Sequence, residues 1–320
     1  MKILKTPLFA FIAFALPAAA QAQNFPEKPI TFVVPFAAGS ATDQLARALG
    51  QSVSAEAKQS VVVDNKPGAS GFIGAQAVAK AAPDGYTVFI TTNTTHAANE
   101  HLYKKLPYDP VKDFAPVTGL AKGAQIMVVN PSLPYKSVAD FVAAAKKEPG
   151  KISFGSGSSS SRIAGELLQQ MAGIQLLHVP YKSNPLAITD LLGGQIQMMI
   201  TDMATGMPQV KAGKLRALGV SSLKRSSLAP DVPTISEAGV KGYEMGFWFA
   251  AYVPAGTPPA VVKRLNELLT RATTSAGVKS LFESTGFEAF TTTPEELAKF
   301  QIAESQKWAS IIKKAGIQPE

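Results

Sequence analysis

Apolar and polar positions fall into two alternating patterns along this chain. Short runs of β-branched and aromatic residues, such as Ile30-Thr31-Phe32-Val33-Val34, lead through small-residue turns into apolar residues at helical spacing, such as Ala41, Leu45, Leu49 and Val53. This first unit predicts a strand, a loop around Gly39 and Ser40, and a helix. Such a loop aims the unpaired N–H groups of a helix start at whatever lies above the strand's carboxyl end. An open α/β sheet binds ligands there, and the partial positive charge of the helix start favours an anion.

The same unit recurs. Strands are predicted at Ser60 to Val63 and Tyr86 to Thr91, with a helix from Ser70 to Ala81 between them and a polar loop, Thr92 to Thr95, after the second. A strand near Ala115 to Leu120 follows an irregular crossing, and from about Gln125 the pattern restarts. Strands at Ile126 to Val129, Ile152 to Phe154, Leu176 to Val179, Gln197 to Ile200 and Arg216 to Val220 are interleaved with helices beginning at Ser137, Arg162 and Pro185. The last third adds a strand, Phe247 to Val253, a helix from Thr257-Pro258 to Ala272, and a capping box, Thr293-Pro294-Glu295-Glu296, opening a long helix. Strands alternating with helices predict an α/β fold of two lobes, each a mostly parallel sheet flanked by helices, with crossings near residues 120 and 245 and a cleft between facing strand ends. The expected division is 1–22 signal peptide, 23–122 plus 247–320 first lobe, and 123–246 second lobe.

Residues 1–22 change the picture of where the chain works. Lys2 and Lys5, the apolar run Leu8 to Leu16 and Ala20-Gln21-Ala22 form a secretory signal peptide with cleavage expected before Gln23. No later stretch has the roughly 18 uninterrupted apolar residues of a membrane span. The absence of cysteine fits export and removes thiolate chemistry. The formal charge of +8 falls to about +6 without Lys2 and Lys5, and the basic residues are dispersed. That argues against a nucleic-acid patch and for a mildly basic surface that attracts acidic small molecules.

A second small-residue loop, Gly155-Ser156-Gly157-Ser158-Ser159-Ser160-Ser161-Arg162, again joins a strand to a helix, and its hydroxyls and N–H groups suit a carboxylate or a phosphate. It lacks the Gly-Lys-Ser/Thr of a Walker loop, and Ser160 stands where a dinucleotide fingerprint needs its third glycine. The Gly-x-Ser-x-Gly pattern of a serine hydrolase is absent around it, and only His96, His101 and His178 offer a base. His96 and His101, five apart, diverge by roughly 140° on a helix, so no metal site is expected there.

Several spaced motifs, in order, carry a resemblance: Val34-Pro35-Phe36 with Asp43 and Ala46-Arg47; Asp64-Asn65-Lys66-Pro67-Gly68-Ala69 with Gly71 and Gly74; Pro83-Asp84-Gly85-Tyr86; Leu106-Pro107-Tyr108-Asp109-Pro110 with Asp113-Phe114; His178-Val179-Pro180-Tyr181-Lys182; Asp190-Leu191-Leu192-Gly193-Gly194; and Pro230-Asp231-Val232-Pro233-Thr234. Over essentially its whole mature length the chain resembles the periplasmic solute-binding proteins of the tripartite tricarboxylate transporter system, the Bug family. The resemblance implies a two-lobed protein of the periplasmic binding fold closing on a small organic acid. It places a proximal carboxylate between the loop Phe36, Ala38, Gly39, Ser40 and Asp43 and the loop Ser156, Gly157, Ser158, Ser160 and Ser161. Thr92, Asn93, Tyr181 and Asp202 are implied as further lining, and Trp248 is expected to join them. Arg162 stands where relatives commonly carry a histidine. It is expected either to hold a second carboxylate bidentately or to form a surface salt bridge on the first helical turn.

The reading is a periplasmic binding protein, not an enzyme, that captures a mono- or dicarboxylate without a cofactor or metal. As a monomer it would deliver the acid to integral membrane transporter subunits, with no nucleic-acid partner. An exported sensor presenting its ligand, or a hydrolase using the serine loop, are the alternatives.

Overall fold

Runs of β-branched residues bury both faces of a strand only when helices cover both sides of the sheet. That arrangement is found in a computed structural model of the protein, which describes residues 25–319. The expected signal peptide lies outside the described residues. The strands are β1 (Ile30–Val34), β2 (Val61–Asn65), β3 (Thr87–Thr92), β4 (Phe114–Val129), β5 (Ser153–Ser156), β6 (Leu177–Pro180), β7 (Met198–Asp202), β8 (Arg216–Val220), β9 (Gly246–Pro254) and β10 (Glu288–Ala289). The helices are α1 (Ala41–Ala57), α2 (Phe72–Ala79), α3 (Asn99–Leu102), α4 (Val138–Lys147), α5 (Ser159–Ala172), α6 (Asn184–Leu192), α7 (Met203–Lys211), α8 (Pro259–Thr273), α9 (Ala276–Thr285) and α10 (Pro294–Lys314).

The sheet order is β2-β1-β3-β9-β4-β7-β5-β6, with β8 and β10 also paired to β4. The outer strands run parallel, β2-β1-β3 in one half and β6-β5-β7 in the other. The two strands between them, β4 and β9, are antiparallel to each other and to their outer neighbours. The weak stretch Ala121 to Gln125 predicts a break, yet β4 runs unbroken through it. Residues 114–124 pair with β9, and from Gln125 onward the partner is β7. Gly123 makes the passage possible, because a Cβ there would come within 2.5 Å of the Phe247 ring.

Pleating divides the core. On β9, Phe247, Phe249, Ala251 and Val253 pack with Leu45, Leu49, Leu265 and Phe282 of α1, α8 and α9. Trp248, Ala250 and Tyr252 face the other way, into a core that includes Ala75 of α2, Phe141 of α4, Ile163 of α5 and Leu297 and Trp308 of α10. A third cluster joins α6 and α7 to the opposite face of the second half. Helix α7 escapes the sequence pattern because Pro208 sits inside it. Asp202 starts it as a side-chain cap, accepting from Thr205 N. The predicted capping box is complete, with Thr293 and Glu296 bonded reciprocally at the start of α10.

Candidate functional site

Strand-to-helix connections at the starts of α1, α5, α6 and α7 meet around one narrow pocket, about 380 Å³ of empty space with the open solvent at its mouth included. From the first half of the sheet come Phe36, Ser40, Ala41, Thr42 and Thr92. From the second come Gly157, Ser158, Ser160, Asn184 and Asp202, while Gln125, Phe247 and Phe249 of the two crossing strands complete the wall.

Each loop is shaped by its own hydrogen bonds. Ser40 caps α1, its Oγ accepting from Asp43 N at 3.3 Å, and Asp43 Oδ2 accepts in return from Gly39 N at 2.9 Å. Arg47 donates to the same carboxylate at 3.0 Å. Asn65 bridges Asp43 Oδ1 and the carbonyl of Phe36, both at 3.0 Å. Burial pushes the Asp43 carboxyl upward, but the bonds from Arg47, Gly39 and Asn65 outweigh it and hold the group below the usual carboxylate range.

In the second loop Ser158 caps α5 by accepting from Ser161 N, and its hydroxyl lies 3.1 Å from that of Ser160. Gly157 N donates to Asn184 Oδ1 at 3.0 Å, and Asn184 Nδ2 donates to Asp202 Oδ2 at 2.9 Å. Asp202 Oδ1 accepts from Thr205 N at 2.8 Å, so the start of α7 already holds a carboxylate. Only glycine fits at 157, because a Cβ would collide with the backbone of Ser183 and Asn184.

Of the expected residues, Phe36, Ser40, Thr92, Gly157, Ser158, Ser160 and Asp202 line the cavity. Ala38 and Gly39 are exposed at the outside of their turn. Asp43 braces the first loop from within. Asn93 is buried, with Oδ1 accepting from Trp248 N. Ser156 shares a 2.7 Å hydrogen bond with His178 Nε2, and Ser161 donates to the carbonyl of Ile200.

Three further expected residues lie off the cavity wall. Arg162 is outside the cavity wall, half-buried one helical turn before Glu166. Burial raises the Glu166 carboxyl above its usual range, and Arg162 partly offsets the rise. Tyr181 turns into the second half, where its hydroxyl donates to Asp190 at 2.8 Å. Burial and that neighbour push its pKa up to about 12. Trp248 lies on the far face of β9, its indole N–H donating to Glu304 of α10 at 3.0 Å, so its neighbours Phe247 and Phe249 reach the cavity instead.

Gln125, Asn184, Phe247 and Phe249 went unpredicted. Their signals were a polar residue entering an apolar strand, an Asn-Pro helix start, and the alternation of β9. Gln125 is almost completely buried, and its Oε1 has no hydrogen-bond partner.

Two half-sheets joined by crossing strands, with helix starts around a cavity between them, define a two-lobed binding protein. The chain matches the family described as "Tripartite tricarboxylate transporter family receptor" over residues 45–317, and it belongs to that family of periplasmic binding proteins. Solved structures agree. It is similar to Rpa4515 of R. palustris with adipate (36% identity, TM-score 0.90, covering 92% of this chain and 100% of that one). It is also similar to the periplasmic binding protein BugD (34%, 0.88, 92% and 100%). A third is MatC of Rhodopseudomonas palustris with bound malate (29%, 0.85, 90% and 100%).

Proposed function

We propose that the protein captures a small organic carboxylate in this cavity and hands it to the membrane subunits of a tripartite tricarboxylate-type transporter. The observation that carries the reading is the pairing of two helix starts, α1 capped by Ser40 and α5 capped by Ser158, in one cavity wall from opposite halves of the sheet. Each helix start offers N–H groups and about half a positive charge to an anion, and the serine and threonine hydroxyls add donors. The adipate and malate of the two relatives are acids of this kind.

The lobes are taken as 23–122 plus 247–320 and 123–246, so the ligand sits where they meet and favours their closed arrangement. Export through the signal peptide at 1–22 would deliver a monomer to the periplasm. Among the described residues two serine–histidine pairs, Ser156 with His178 and Ser305 with His101, resemble a nucleophile and base, but neither serine is in the cavity wall, which supports binding over turnover. Among the described residues no helix is long and apolar enough to cross a membrane. In this reading the membrane subunits are other chains.

Native mass spectrometry of the purified protein, alone and mixed with a panel of small acids, tests the proposal. A one-to-one acid adduct that is lost on denaturation is expected. No adduct with any acid would overturn it.

A further inference from the structure

The long helix α10 serves both halves of the molecule. Part of it is bonded to the first half: Gln301 Nε2 donates to the carbonyl of Pro110 at 2.9 Å, and Ser305 shares a 2.8 Å hydrogen bond with His101 of α3. Farther along, Trp308 and Ile312 are buried in one core with Ile163, Leu167 and Leu168 of α5. Helix α10 packs on that second-half helix, whose start lines the cavity.

Glu304 sits where the two sets of contacts meet. Its mostly buried carboxylate accepts, through Oε2, from the indole N–H of Trp248 at 3.0 Å and from that of Trp308 at 3.3 Å, while Lys307 lies 3.6 Å from Oε1. Trp248 belongs to β9, one of the two strands that cross between the halves. The other crossing strand is gripped at the same level. Lys122 stands opposite Trp248 in the β4–β9 register and holds its ammonium 3.7 Å from the centre of the Phe290 ring and 4.6 Å from that of Phe300, and Phe300 of α10 packs edge-on against Trp248. The next pairs along are Gly123 with Phe247 and Ala124 with Gly246. Gly123, Ala124 and Gly246 border an open groove, and their small side chains make this the easiest place for both strands to bend.

We infer that Glu304 is a positioning residue for ligand capture: through its two tryptophans it fixes the serine-loop wall of the cavity, carried by α5, relative to the wall of Phe247 and Phe249, carried by β9, and so holds the halves at the angle that keeps the cavity narrow. It touches no ligand. The inference rests on the capture reading above and names what sets the angle between the halves. A carboxylate suits the task because one oxygen has lone pairs for two N–H groups, and its bonds are stronger than those of a neutral acceptor. Glutamine keeps an acceptor oxygen at the same reach. Leucine offers none.

The chain has no cysteine, so spin labels on two exposed positions, Gln51→Cys on α1 and Lys146→Cys on α4, read the distance between the halves by pulsed electron resonance without any ligand. One narrow distribution is expected for the labelled protein and for its Glu304→Gln variant, and a broadened one for Glu304→Leu. Trp248 and Trp308 are the chain's only tryptophans, so their emission reads the clamp itself. Glu304→Leu should shift it, and Glu304→Gln much less. With adipate as the probe, calorimetry should find Glu304→Leu weakened by roughly fivefold or more and Glu304→Gln within about twofold of the unaltered protein. A folded Glu304→Leu with an unaltered distance distribution and unaltered adipate affinity would overturn the inference. If that variant does not fold, Trp308→Phe, which keeps an aromatic ring and removes one N–H, replaces it, and an unchanged distribution there would overturn the inference equally. No adipate binding by any variant, with the distances behaving as expected, would count against the capture reading alone and leave the clamp supported.

Discussion

Ser159, on the first turn of α5, donates its hydroxyl to Asn99 Oδ1 at 2.7 Å and so ties the second half of the molecule to the first. Asn99 is itself held, donating to the carbonyl of Ser70 at 2.9 Å and to the hydroxyl of Tyr108 at 3.2 Å. Tyr108 in turn donates to the carbonyl of Thr95. In the proposed closing of the lobes on a ligand, this contact is expected to act as a latch. Ser159→Ala should leave a buried acceptor unmatched when the lobes close. The expected cost is about 1 kcal/mol, or roughly fivefold in ligand affinity. Calorimetry reads the affinity, and small-angle scattering reads a larger radius of gyration at subsaturating ligand. Unchanged values in both would show that the bond does not bias closure.

The brace inside the first loop has a pH signature. The folded-state pKa of Asp43 is depressed, so its contribution to stability is present above the unfolded value near 3.9 and is lost as pH falls through the lower folded value. Arg47 is more than half exposed, so its ion pair adds little in water, and the bonds from Gly39 N and Asn65 contribute more. Asp43→Ala should lower stability by roughly 1–3 kcal/mol at pH 7 and flatten the acid limb below about pH 4. Denaturant titrations at pH 7 and pH 3 check this, and equal destabilisation at both would remove the carboxylate's role.

His96 predicts a second limb of opposite chemistry. It lies in the π-helical turn Thr94–Ala98, stacked on Tyr252 at 3.8 Å, with Nδ1 at 2.9 Å from the Thr95 hydroxyl. Burial lowers its pKa to about 3, so the folded protein keeps it neutral while the unfolded chain takes up a proton near pH 6.5. Stability therefore falls as pH drops below about 6.5, by roughly 2 kcal/mol at pH 5. His96→Phe should remove that slope whatever it does to stability at pH 8. A slope unchanged between pH 6.5 and 5 would assign the acid sensitivity to other groups.

What could be read from the chain, and what could not, follows from the range of the interactions involved. Strands β1 and β8 match their predicted limits, and Leu45 and Leu49 are buried as the helical spacing of α1 requires, because periodicity and capping are local. The continuation of β4 through Gly123 was hidden. It depends on Phe247, more than a hundred residues away in sequence, needing the space a side chain would fill. Serine and glycine at two helix starts were legible as an anion site, whereas the direction of a side chain on a strand requires knowing which face is the core. That is why Trp248 was expected in the wall that Phe247 and Phe249 form. Arg162 was read either as a cavity cation or as a surface ion-pair residue from its place on the first turn of α5; Ser160 is on the wall, and two residues of helix rotation, about 200°, take Arg162 off it.

The central claim, that a carboxylate is held by the two capped helix starts, is tested most directly by calorimetric titration of an acid found to bind and of its carboxamide, on the unaltered protein and on Gly157→Val. The two ligands share shape and apolar surface and differ in charge, and Gly157→Val forces the serine loop away from Ser183 and Asn184. The account predicts that the carboxamide binds at least a hundredfold more weakly than the acid. It also predicts that Gly157→Val loses most of the acid's affinity while its lobes remain folded by circular dichroism. Equal affinity for acid and carboxamide, or an unimpaired Gly157→Val, would contradict it.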